Sequence, residues 1–130
     1  MLSFGRNFFA KHRRCRHLYA LIQARDFERA HAWLQRRAAE VGQDADYYKC
    51  LAKIAALQGD HGGAIERYEQ SIAASGSGTQ RFLVYGDLIR LLYLAERGAD
   101  AQQLLERALE DLECVLRRRI LPAHALVHLS

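Results

Sequence analysis

Apolar residues recur at intervals of three and four positions along the chain from Lys11 onward. This spacing places them on one face of a helix, because an α-helix completes a turn every 3.6 residues. No stretch of strand length alternates strictly between apolar and polar residues. The pattern therefore predicts an all-α protein.

The clearest periodic segment runs from Asp100 toward Arg119 and predicts a long amphipathic helix. Asp100 is expected to cap its first free N–H groups, with Gln103 completing a capping box. Arg117 to Arg119 suit the negative end of the helix dipole. One continuous apolar stripe forms the face that such a helix turns to the core. Its residues are Leu104, Leu105, Ala108, Leu109, Leu112, Val115 and Leu116.

Similar start and stop signals predict four helices upstream, and the segment beginning near Lys11 brings the total to six. The expected caps are Asp26, Asp44, Asp60 and Thr79, and the expected ends are Gly42, Gly59, the Ser75-Gly76-Ser77-Gly78 stretch and Gly98. The faces expected to be buried are Phe27, Ala30, Leu34 and Ala38; Tyr48, Leu51, Ile54 and Ala55; Ala64, Ile65, Tyr68 and Ile72; and Phe82, Tyr85, Leu88, Ile89 and Leu92.

Paired helices of this length are typical of two-helix repeats, and one repeat stands out in the sequence. The stretch GDHGGAIERYEQSI, from Gly59 to Ile72, resembles the turn and second helix of a tetratricopeptide repeat. In that alignment the preceding helix supplies Tyr48 at the large aromatic position and Leu51 and Ala52 at the Leu-Gly pair. Ala64 takes the helix crossing, Tyr68 the bulky position and Ser71 the small position. Small residues at such positions let paired helices approach closely.

Two weaker repeats flank this one. Asp26 to Ala30 matches Asp60 to Ala64 at a spacing of 34, whereas the downstream repeat fits a spacing of 37 or, with Asp100 aligned to Asp60, of 40. The resemblance implies a right-handed α-solenoid of about three helical hairpins, spanning about 12–42, 44–76 and 79–119. A basic segment, 1–11, and a tail, 120–130, complete a single predicted domain.

Composition restricts the class of protein further. The 130 residues are 50% hydrophobic and 26% charged, which suits one folded domain rather than a disordered chain, and no apolar run is long enough to span a bilayer. Three scattered cysteines, Cys15, Cys50 and Cys114, favour a reducing compartment over a disulfide framework. Arginine outnumbers lysine 16 to 3, which is typical of a GC-rich genome. We expect a cytoplasmic, bacterial protein.

Positive charge is concentrated at the start of the chain. Residues 1–25 contain six basic and no acidic residues, whereas the remainder holds 13 basic and 15 acidic residues. This asymmetry predicts either a solvated basic helix whose phenylalanines cover the end of the core, or contact with an anionic membrane surface or nucleic acid. The arginine-rich, acid-free start also resembles a mitochondrial presequence.

Catalytic and cofactor motifs are lacking in the sequence: it contains no phosphate loop, GxGxxG, GxSxG or HExxH. His124 and His128 have the i,i+4 spacing of metal ligands, but no carboxylate or cysteine accompanies them in the tail. We therefore expect no catalytic, cofactor or metal site, and a protein that is not an enzyme.

The resemblance implies instead that a partner binds the concave face, which the first helix of each pair forms. The residues expected to bind it are Tyr19, Lys49, Lys53, Arg90 and Tyr93, with His12 and Cys15 on the same face. A cationic surface with interleaved aromatic rings suits an acidic or amphipathic segment of a partner. The sequence thus predicts a protein-protein adaptor or chaperone, with a self-associating structural subunit as an alternative. The cations also fit a merely solvated surface.

Overall fold

A computed structural model describes residues 16–120, with the side chain of Ile120 left out. These residues form six helices and no strand, which confirms the all-α prediction. The helices are α1 over residues 16–23, α2 (Phe27–Val41), α3 (Ala45–Leu57), α4 (His61–Ser75), α5 (Arg81–Leu94) and α6 (Gly98–Ile120). Over the same range, none of them is long and apolar enough to cross a membrane.

The chain divides into two compact units at the serine- and glycine-rich turn, the first ending at Ala74 and the second beginning at Ser75. In the first unit, side chains from α1, α2 and α3 pack into one apolar core. Its buried members are Leu18, Ile22, Ala30, Leu34, Tyr47, Cys50 and Ile54. Tyr47, rather than the expected Tyr48, is the deeply buried tyrosine of α3, and Tyr48 packs at the edge.

Aspartates begin three helices of the first unit, as predicted. Asp44 accepts a hydrogen bond from the backbone N–H of Tyr47 at 3.0 Å, and Asp60 accepts one from Gly63 at 2.9 Å. Asp26 caps α2 in the same way. Arg37 of α2 also donates two hydrogen bonds to the carboxylate of Asp44. Asp44 therefore both caps α3 and joins it to α2.

Small residues fill the positions where the sequence expected close helix contact. Ala52, Ala64 and Ser71 are fully buried, which confirms their inward placement. The Ser71 hydroxyl donates a hydrogen bond of 2.7 Å to the Ala45 carbonyl at the start of α3. A larger side chain at position 71 would displace this bond between α4 and α3.

Three turns, between α1 and α2, α3 and α4, and α5 and α6, share one backbone geometry. Each contains a residue with left-handed φ, namely Arg25 at 60°, Gly59 at 82° and Glu96 at 59°. The next residue in each turn donates its N–H to the carbonyl five positions earlier, at 2.9, 2.9 and 2.8 Å. This is the Schellman end of a helix, and it recurs at spacings of 34 and 37 residues. A fully buried alanine follows five residues after each left-handed position: Ala30, Ala64 and Ala101.

The third turn corrects two predictions about its residues. Gly98 does not end α5 but begins α6, because Glu96 supplies the left-handed residue without glycine. Asp100 lies inside the first turn of α6, where its carboxylate pairs with Arg97 at 2.8 Å, and so it is not the cap. The left-handed residues of the second and third turns, Gly59 and Glu96, therefore lie 37 residues apart and not 40.

The start of α5 also differs from the prediction. Thr79 does not cap it: α5 begins at Arg81 after Gln80, which makes no side-chain capping bond. Instead, overlapping backbone hydrogen bonds across residues 78–83 lead into the helix. The Arg81 side chain donates to the Gly78 carbonyl and fixes the same turn.

The apolar stripe of α6 is buried in its first half only, contrary to the continuous stripe expected. Leu104 and Ala108 are buried, whereas Leu109, Leu112 and Leu116 are exposed. The 23 residues of α6 span about 34 Å, but α5 has 14 residues and covers about 21 Å. Arg81 at the start of α5 bonds to Asp111, so α6 continues beyond the helix against which it packs.

Candidate functional site

In the first unit the structure brings two predicted binding residues together. The Lys53 ammonium of α3 lies 5.0 Å from the centre of the Tyr19 ring of α1, which is within the range of a cation–π interaction. Both side chains are half-buried. Lys49 lies one turn before Lys53 on the same helix face, and no ion pair joins it to a carboxylate of the described residues. We call these three residues the first-unit face.

In the second unit the predicted residues Arg90 and Tyr93 lie on the solvent-exposed side of α5. The opposite side of this helix, with Val84, Leu88 and Leu91, is buried. Arg90 is exposed, and no ion pair joins it to any carboxylate within residues 16–120. Tyr93 keeps 53% of its surface exposed.

The same side of α5 also carries residues that the sequence analysis did not predict as part of a binding face. Leu83 and Leu94 keep 67% and 71% of their surface exposed, and Gly86 lies between them in the helix interior. Positions 83, 86, 90 and 94 follow the spacing of one helix face. Extending that spacing from Arg90 in both directions would have found them. We call Leu83, Gly86, Arg90, Tyr93 and Leu94 the α5 face.

The two faces occupy corresponding positions relative to the turns that share one backbone geometry. Tyr19, Lys53 and Arg90 each lie six residues before the left-handed residue of the following turn. They are therefore equivalent in helices α1, α3 and α5. His12 and Cys15, expected on the same side of α1, lie outside the described residues.

The strongest electrostatic contact of the second unit lies on the other side of α5. Arg81 donates from Nε and Nη2 to the two carboxylate oxygens of Asp111 at 2.6 and 2.7 Å, and its guanidinium lies 4.8 Å from the centre of the Phe82 ring. The hydrogen bond from Arg81 lowers the pKa of Asp111 below its usual value, although burial opposes the shift. The same bond raises the pKa of Arg81. This pair joins α5 to α6 and is structural.

The exposed groups of both faces offer cations and apolar surface rather than a reactive cluster. Within residues 16–120, no three His, Cys, Asp or Glu side chains are grouped to hold a metal ion. Cys50 is buried in the first-unit core and Cys114 is exposed on α6, and no disulfide joins these two cysteines.

Comparison with known proteins gave no match: no family model, curated protein or solved structure matches the chain.

Proposed function

We propose that this protein is a non-catalytic protein-protein interaction module, an adaptor or chaperone that holds a peptide or amphipathic helix of a partner. The observation that carries this proposal is the α5 face, where Arg90 lies among exposed apolar side chains and forms no ion pair with a carboxylate of residues 16–120. Exposed apolar residues grouped on one side of a helix commonly mark an interaction site. An unpaired cation among them favours a partner that carries a carboxylate.

The repeat pattern supports a tetratricopeptide-like fold for this module. Three helix-turn-helix connections share one hydrogen-bond pattern at spacings of 34 and 37 residues, and each is followed by a fully buried alanine. We infer a right-handed α-solenoid of three hairpins, in which the first helices line the concave side. Tyr19, Lys53 and Arg90 take equivalent positions in the first helices of these hairpins.

Charge and apolar area are expected to play different roles in binding. Lys49, Lys53 and Arg90 attract an acidic segment and raise its association rate, while burial of Tyr93 slows dissociation. Binding should therefore weaken as salt increases, mainly through a slower association.

Charge reversal tests the proposal on a partner that is recovered by cross-linking in the native host and then purified. The Lys49→Glu/Lys53→Glu variant should bind it at least tenfold more weakly. Its melting temperature should fall only slightly, because the stability lost with the contact between Lys53 and Tyr19 is about 0.5 to 1 kcal/mol. The control is Arg36→Glu/Arg67→Glu, which reverses two exposed cations on the second helices α2 and α4. Equal affinity of the two double variants would show that the first-unit face is not the binding surface.

The basic start of the chain favours a second function. Residues 1–25 carry six basic and no acidic residues, and Arg16 and Arg25 are exposed where the structure describes them. Such a segment suits an anionic membrane surface or nucleic acid. Salt-sensitive binding to anionic vesicles or DNA that disappears when residues 1–25 are deleted would support this function.

Self-association is the third possibility, and the exposed leucines of α6 favour it. Leu109, Leu112 and Leu116 lie on one side of the helix with spacings of three and four residues, which is the spacing of a helix-helix contact. Light scattering that shows a rising mass with concentration would support a homo-oligomer.

We place the protein in the bacterial cytoplasm on composition alone.

A further inference from the structure

Gly86 occupies a position where neither the backbone nor the packing of the protein requires glycine. It lies in the middle of α5, is exposed and does not have a left-handed φ. Apart from the adjacent residues and the backbone of its own helix, a Cβ atom at this position would meet no atom of the described residues within 4 Å. Glycine in a helix interior costs about 0.5 to 1 kcal/mol relative to alanine. The helix therefore carries an energetic cost that nothing within the described residues explains.

Longer side chains flank Gly86 on the same face of α5. Leu83 lies one turn before it and Arg90 one turn after it on the same helix face, and Tyr93 lies two turns after it. These neighbours are all exposed. The absence of a side chain at position 86 leaves bare helix backbone between longer side chains, which we call the Gly86 notch.

We propose that the Gly86 notch receives one bulky apolar side chain of an acidic amphipathic helix. Glycine permits a ligand to approach the backbone closely, and a side chain that enters such a groove packs against the neighbouring ridges. Leu83, one turn before the notch, provides an apolar wall, and Arg90, one turn after it, pairs with a carboxylate one turn away on the incoming helix. This inference rests on the proposed function, for which it specifies the partner.

Charge on α5 sets the orientation of the incoming helix. Asp87 is half-buried on the flank of the α5 face opposite Gly86 and Tyr93, and no ion pair joins it to Arg90 within the described chain. A carboxylate placed near Asp87 would be repelled, so the acidic residue must approach Arg90 from the side of the notch. The ligand is therefore expected to carry Asp or Glu three or four residues from its bulky apolar residue.

The probe is a set of peptides selected from a display library of 16-residue random sequences against the full chain. We expect enrichment of peptides with Leu, Ile, Phe or Trp three or four residues from Asp or Glu. Gly86→Leu fills the notch and should raise the Kd of these peptides at least tenfold, and the smaller Gly86→Ala should raise it less. No enrichment, or enrichment of basic peptides, would overturn the notch.

A matched glycine provides the control. Gly62 is also exposed and helical, in α4, and a Cβ atom there would likewise meet nothing within 4 Å. Both Gly62→Ala and Gly86→Ala should raise the melting temperature, but only the latter should weaken peptide binding. The reading of Gly86 as a notch is wrong if both alanine variants and Gly86→Leu bind as the wild type does.

Arg90→Glu separates failure of the notch from failure of the proposed function. If Arg90→Glu weakens binding of the selected peptides and Gly86→Leu does not, the α5 face binds them without the notch. If neither variant changes the Kd, the α5 face is not the surface that binds the peptides and the notch is wrong, whereas the proposed function is then decided by the charge reversal at Lys49 and Lys53. Circular dichroism and the melting temperature establish that each variant is folded.

Discussion

Removing the charge of Asp111 provides the sharpest test of how α5 and α6 are held together. Asp111 accepts two hydrogen bonds from Arg81, at 2.6 and 2.7 Å, and lies 3.4 Å from the Tyr85 hydroxyl. The Arg81 side chain is almost fully buried, at 8% exposure, whereas Asp111 keeps 27%. Asp111→Asn preserves the shape of the side chain at position 111 but leaves the buried Arg81 without its counter-charge.

The expected loss follows from this partial burial. Breaking a fully buried ion pair by removing one partner costs about 3 to 5 kcal/mol, whereas an exposed pair is worth about 0 to 1 kcal/mol. Water reaches Asp111 and screens part of the interaction, so the loss lies between these limits. We expect Asp111→Asn to lower the free energy of unfolding by about 1 to 3 kcal/mol.

Urea unfolding followed by circular dichroism measures this loss, with Glu113→Gln as the control. Glu113 accepts an equally short hydrogen bond of 2.6 Å from Arg117, but both side chains are more than half exposed. Glu113→Gln should therefore lower the free energy of unfolding by less than about 0.5 kcal/mol. Equal effects of the two substitutions would refute the argument that burial gives the Arg81 pair its strength.

The pH dependence of stability has a defined sign. Because Arg81 lowers the pKa of Asp111 in the folded protein, the carboxylate contributes stability above its unfolded pKa of about 3.9. That contribution is lost as the pH falls through the lower folded pKa. Asp111→Asn should therefore lose less stability than the wild type as the pH is lowered below about 4. A steeper acid loss in the variant would contradict the assignment.

Three further predictions concern packing, turn geometry and the basic start. Ala64→Leu should overpack a fully buried position and lower the free energy of unfolding by about 1 to 3 kcal/mol. Ala73→Leu, on the exposed side of α4, should have little effect. Equal melting temperatures of the two variants would contradict a close helix crossing at Ala64. Glu96→Gly should raise the free energy of unfolding by about 0.5 to 1 kcal/mol in urea titration, because glycine adopts the left-handed conformation without strain; a loss would contradict this account of the turn. Deleting residues 1–11 should lower the melting temperature if they pack on the fold, whereas unchanged stability with loss of binding to anionic vesicles would support the surface-contact function.

Local signals predicted three of the helix starts correctly, those of α2, α3 and α4. Asp44 and Asp60 cap their helices because the bond runs from a side chain to an N–H three residues away, which sequence spacing alone defines. Ala64 and Ser71 are buried as expected, since one helical period relates them to the apolar face of α4. The contact of Lys53 with Tyr19 was not predicted, although the two residues lie 34 positions apart and were expected on the same face.

Features that depend on distant residues or on main-chain geometry could not be predicted. Arg81 and Asp111 are thirty residues apart, and nothing local distinguishes them from solvated charges. The exposure of Leu112 and Leu116 depends on where α5 begins rather than on the pattern within α6. Glu96 adopts the left-handed conformation that glycine usually adopts. Residue preferences therefore predicted the end of α5 at Gly98, which was wrong.

The shared turn has a consequence for how this sequence can drift during evolution. Its hydrogen bonds join main-chain atoms only, so the geometry survives whether the left-handed position holds arginine, glycine or glutamate. Each departure from glycine costs about 1 kcal/mol, a loss that a small improvement in packing elsewhere can offset. A duplicated helical hairpin can therefore lose its recognisable residues one turn at a time and still retain its backbone period.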